Sequence, residues 1–170
     1  ILAGSAILAA PTAEQDAAEG TTSAAQYVLL IDDSGSMTHR VGRDPAADPD
    51  RLAVFAARSM LALLDDSDEV SVARLNAAEE GEETPSIRPL SEARADLEGA
   101  LANDGRIARY AGADTPCRTA FDAVRARLNE ARRPGVRQVV VFLTDGACTG
   151  TAPDVDGILR ECVTADRQAA

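Results

Sequence analysis

Three observations in this sequence predict an α/β fold, a doubly wound, mostly parallel sheet with helices on both faces. Tyr27–Ile31 is continuously apolar rather than alternating, which suits a strand covered on both sides. "RQVVVFLTDGA", Arg137–Ala147, repeats that design, and both runs end abruptly in oxygen-bearing residues. Between them lie stretches with apolar residues at helical spacing. This alternation implies right-handed crossovers, and ligands on such sheets sit at the carboxyl ends of the strands.

Taken in order, the 170 residues suffice for one domain with its own core. Residues 1–13, "ILAGSAILAAPTA", are apolar but shorter than the roughly 20 residues of a membrane span. With no initiator Met and no basic flank, they read as the tail of a secretory signal or N-terminal membrane anchor, a disordered Ala-rich extension being the alternative. Residues 14–25 read as a polar linker and 26–170 as the domain.

After the first strand, "DPDRLAVFAARSMLALLDD" predicts a helix capped by Asp48 or Asp50, with Leu52, Phe55, Ala56, Met60 and Leu63 close to one face. "EVSVARL", Glu69–Leu75, reads as a third strand of weaker apolar content. "SIRPL" reads as an edge, because Pro89 cannot donate to a ladder. "SEARADLEGALAN" opens on Ser91, has acids in its first turn and carries Leu97 and Leu101 one helical turn apart. "TPCRTAFDAVRARLNEARRPG" begins with Thr-Pro, runs through Phe121, Val124 and Leu128, and stops at Pro134-Gly135. "APDVDGILRECVTADRQ" is a weaker final helix, with Pro153 near its first turn and Gly157 lowering its propensity.

Composition narrows the function. Hydrophobic residues make up 45% and charged residues 26%, a globular balance, but aromatics are only 3%, so the core must be aliphatic. Seventeen basic against 28 acidic residues leave a net charge of −11, which argues against a nucleic-acid partner and reads as a solubility feature. All the basic residues are Arg, to which no functional weight attaches. Cys117, Cys148 and Cys162 lack metal-binding spacing. In an exported chain two of them bridge; in a cytosolic one they are small buried hydrophobes.

The oxygen atoms after the strands carry the chemistry. Asp32, Ser34 and Ser36 stand two residues apart, so their side chains can converge where the strand turns into a loop, with Gly35 easing the turn. Hard oxygen ligands suit Mg²⁺, Mn²⁺ or Ca²⁺. Three residues cannot fill an octahedron, and Asp145, at the end of the second apolar strand, is the candidate from another loop. The competing structural role is helix capping or a side-chain turn. His39 and the acidic loop with Asp44, Asp48 and Asp50 read as solvated surface.

"DDSGSM" resembles the D-x-S-x-S metal-ion-dependent adhesion site of von Willebrand factor type A domains. "GADTPCRTAFDAV" and "VVVFLTDGA" are similar to that family's loop threonine and T-D-G strand end, and the likeness spans Gln26 to about Asp166. The resemblance implies the metal ligands Asp32, Ser34, Ser36, Thr115 and Asp145, with Thr119 the alternative to Thr115. Asp33 cannot replace Asp32, because that register puts Gly35 where a hydroxyl is needed. The family normally continues with further strands beyond this point, so a fragment or a reduced sheet with an open edge is expected.

What the resemblance implies functionally is a divalent-metal-dependent protein-binding module, not an enzyme, using Mg²⁺ or else Mn²⁺ or Ca²⁺. A protein ligand offering Asp or Glu completes the metal shell. The expected setting is extracytoplasmic, secreted or membrane-anchored, with a membrane met only through the N-terminal anchor. A cytosolic subunit of an ATP-driven chelatase-type complex is the alternative, and a hydrolase a more distant one. Sharing a metal draws the loops of Thr115 and Asp145 together, and a Cys117–Cys148 bridge is expected there. Cys162 is then the odd thiol, with Cys148–Cys162 as the other pairing.

Overall fold

The computed structural model describes residues 24–39, 43–102, 105–107, 114–145 and 148. The expected segment 1–13 and the expected final helix after Pro153 lie outside them. Strands β1 (Gln26–Ile31), β2 (Glu69–Arg74), β3 (Arg88–Pro89) and β4 (Gln138–Leu143) form one sheet in the order β3-β2-β1-β4. β1 pairs in parallel with β2 and β4, while β3 adds two residues antiparallel to β2. The sheet is thus mostly parallel, and Pro89 stands at the edge.

Alternation along the strands sorts side chains into two apolar layers. Leu29, Ile31, Val70 and Val72 face α2 (Leu52–Leu63) and α3 (Leu90–Ala100). Val28, Leu30, Ala73 and Leu75 face α4 (Cys117–Glu130), where the rings of Phe121 and Phe142 meet edge to face at 5.2 Å. Each fully buried Leu, Ile or Val stabilises the fold by about 1.5–3 kcal/mol. β2 is almost wholly buried, more so than its modest apolar content suggests, because Ser71 satisfies its hydroxyl on the Pro85 carbonyl at 2.7 Å.

Several local expectations need correction. α2 buries Val54, Ala57 and Leu61 rather than the expected face, leaving Leu52, Phe55 and Leu63 exposed. Arg51 holds the N-cap position, and of the two expected caps it is Asp48 whose side chain serves, its two oxygens accepting from the Leu52 and Ala53 amides at 2.6 and 2.8 Å. Asp48 is therefore a buried capping group, although Asp44, Asp50 and His39 are exposed as expected. Between Asp48 and the helix the chain passes through Arg51 at φ 58°, an uncommon conformation for a residue with a Cβ. α3 begins at Leu90, so Ser91 lies inside the helix. Gly135, at φ +74°, turns the chain from α4 into β4. Just before β1, Ala25 is buried and its amide donates to Asp68 at 2.9 Å.

Candidate metal centre

Register decides what meets at the carboxyl edge of the sheet. Ile31 lies opposite both Arg74 and Leu143, so the exits of β1, β2 and β4 leave side by side. The ladder runs one step further through the Asp32 amide, which donates to the Leu143 carbonyl at 2.9 Å, and the Leu75 amide, which donates to Ile31 at 2.8 Å.

From β1 the chain turns at once into α1 (Gly35–Thr38), one helical turn that sequence reasoning did not foresee. Gly35 does not occupy the left-handed region. Ser34 stands at the N-cap position, yet its side chain makes no capping bond. Its hydroxyl lies 3.1 Å from that of Ser36, and Ser36 donates to Asp145 Oδ2 at 2.8 Å. Asp32 Oδ1 accepts from the Ser34 amide at 2.9 Å, a side-chain turn of the kind common after strands. Its other oxygen accepts from Thr144 Oγ1 at 2.6 Å.

Four of the five sequence-derived candidates, Asp32, Ser34, Ser36 and Asp145, are thereby joined into one oxygen cluster, with Thr144 as a member. Sequence reasoning gave Thr144 no role, although pairing Ile31 with Leu143 sets residues 32 and 144 at the same level. Thr115 is buried just before α4, and the Cys117–Cys148 disulfide links its segment to the chain after Asp145. The alternative, Thr119, is exposed on α4. Asp145 is exposed and Ser36 half-buried, so the cluster opens to solvent on that side. There it borders a groove of about 360 Å³ between Met37, Leu52, Ala53, Ala56 and Leu143.

Among the described residues, Asp32 and Asp33 differ in how their charges are met. Asp32 is fully buried, yet among the described residues its carboxylate meets only an amide and a hydroxyl. A buried carboxylate without a cation costs several kcal/mol. Asp33, equally buried, is treated differently. It accepts from Arg74 Nη1 at 2.8 Å and from the Asn76 amide and side chain at 3.0 and 2.8 Å. Arg74 also pairs with Glu80 and, at 2.9 Å, with Glu82. Burial alone would lower the Arg74 pKa, but the bonds to Glu80 and Glu82 and the charge of Asp33 outweigh it and raise it. Its guanidinium therefore stays charged throughout the ordinary pH range.

The donor set fits a small hard cation. Among the described residues no three His, Cys, Asp or Glu side chains converge; the cluster combines two carboxylates with hydroxyls. Oxygen-only ligation of this kind is what Mg²⁺ and Mn²⁺ take. Among the described residues, no helix is long and apolar enough to cross a membrane. No known family model matches the chain, and no curated protein matches it.

Proposed function

We propose that the chain is a divalent-metal-dependent protein-binding module of the von Willebrand factor type A kind, with a doubly wound sheet and an adhesion site at its carboxyl edge. The observation that carries this reading is Asp32: a wholly buried carboxylate, lacking a cationic partner among the described residues, beside converging hydroxyls. Ser34, Ser36 and Thr115 would hold the ion through hydroxyls, and Asp32 and Asp145 would hold it mainly through its waters. Mg²⁺ or Mn²⁺ so bound supplies an electrophilic attachment point for a carboxylate from the partner protein.

The chain's own residues set the selectivity. Asp32 and Asp145 together just neutralise a divalent ion, and the net charge of −11 repels an acidic partner. Recognition therefore runs through the metal-held position, and low salt should help binding little. The exposed side of the cluster, at Asp145 and Ser36, is where a partner side chain can enter. The Cys117–Cys148 bridge supports an oxidising, extracytoplasmic setting, secreted or membrane-anchored.

Calorimetry with Mg²⁺ and Mn²⁺ tests the site. One ion per chain is expected, and Asp32→Ala and Asp145→Ala should each abolish its heat while leaving helical circular dichroism unchanged. Absence of heat for the wild-type chain at millimolar metal sinks the assignment. A pull-down that survives EDTA would reject metal-mediated recognition while leaving the fold reading standing.

A further inference from the structure

The exit of β1 alternates its side chains. Asp32, Ser34 and Ser36 turn toward the β4 side, whereas Asp33 turns toward the β2 side and is gripped there. That grip uses both Asp33 oxygens and bridges elements 41 and 43 residues apart in the chain. Beyond Ile31 the backbone ladder toward β2 gives way to side-chain bonds, so the orientation of residues 32–34 relative to β2 depends on Asp33. Arg74 is in turn braced by Glu80 and Glu82, which restrict the rotation of its guanidinium.

We propose that Arg74, with Asn76, is a positioning residue for the oxygen cluster: by clamping the Asp33 carboxylate it fixes the twist of the β1 exit that turns Asp32, Ser34 and Ser36 toward Asp145. This rests on the metal-binding reading of that cluster. The clamp and simple electrostatics make opposite forecasts. Removing the positive charge of Arg74 near a cation site should tighten cation binding if charge alone matters. It should weaken binding if Arg74 acts by holding the loop, since groups that orient metal ligands typically change affinity by about 10–100-fold.

Titration of the full chain with Mn²⁺ alone, followed by calorimetry, separates them. R74M should bind Mn²⁺ at least about tenfold more weakly, the lower end for orienting groups, and R74K should recover part of the loss. R88M removes a surface charge elsewhere in the sheet and should leave affinity unchanged. Circular dichroism at the titration temperature checks the fold. If R74M does not fold, N76A decides: it keeps the ion pair, removes one bond to Asp33 and should still weaken Mn²⁺ binding severalfold. Wild-type or tighter affinity in R74M, or in N76A where R74M does not fold, overturns the clamp and leaves the metal site intact. A wild-type chain that takes no Mn²⁺ overturns the metal site and the clamp with it.

Discussion

Asp32 and Asp33 are neighbours in the chain, equally buried, and yet sit in opposite electrostatic situations. Asp33 has a cation and two amide donors, so its charge is settled within the protein. Asp32 has two neutral donors, with a second carboxylate, Asp145, in the same cluster. The β2 side of the exit is a finished structural joint. The β4 side is stable only as far as its hydrogen bonds offset a buried charge, and that residual cost makes it receptive to a cation. A single residue step beyond the end of β1 separates the two, and their carboxylates meet different partners, Arg74 at the end of β2 for Asp33 and Thr144 after β4 for Asp32.

Breaking the comparison is most direct at Arg74. Arg74→Met leaves the Asp33 charge buried and unpaired, and should cost about 3–5 kcal/mol in denaturant unfolding of the metal-free protein. Asp32→Asn, by contrast, removes a charge that has no cationic partner among the described residues and should leave metal-free stability at or above wild type. Equal losses in the two variants would mean that Asp32 is as fully compensated as Asp33.

Next in size is the disulfide, which ties the β4 exit to α4. Cys117→Ala with Cys148→Ala opens a link between residues 31 apart and should cost about 2–4 kcal/mol. It should also weaken Mn²⁺ binding, while leaving the extra cost of Arg74→Met unchanged. A non-reducing peptide map lacking the 117–148 link would remove this element altogether.

Saturating metal sharpens the contrast from the other side. At a hundredfold excess over its dissociation constant an ion bound only by the folded state adds about 2.7 kcal/mol, read as a rise in Tm. Wild type should show it and Asp32→Asn should not, whereas Asp33→Asn, whose amide NH2 must face the donor of Arg74 or those of Asn76, should show a smaller rise than wild type. The smallest expected effect is Thr144→Val, which deletes one hydrogen bond to Asp32 and should cost about 1–3 kcal/mol without metal, toward the lower figure given the neighbouring amide donor.

How much of this could be read from the sequence follows from the range of the forces involved. β1 and β4 are apolar on both faces, so their runs declare themselves, and the period of two in Asp32, Ser34 and Ser36 survives into the folded cluster. Asp145 is legible because it ends the second such run. The buried face of α2 is not legible. Between Leu52 and Leu64 only Arg58 and Ser59 are polar, so two overlapping apolar stripes compete, and the sheet rather than the helix selects Val54, Ala57 and Leu61. Arg74 was missed for a related reason. Its partners lie 41 residues back and six and eight residues ahead in the sequence, and only strand register shows that one guanidinium serves all three.

The bond from Ser36 to Asp145 spans 109 residues, the Asp33–Arg74 pair only 41. Distant contacts form after nearer ones have lowered the entropy of closing the loop. During synthesis, the β2-side joint can therefore close while β4 is still within the ribosome, and the oxygen cluster assembles only when the last described strand docks. On the proposed reading, an ion held there would act on a completed fold. Its influence would fall on the lifetime of the native chain, through a slower rate of unfolding, and hardly on the speed at which that chain first folds.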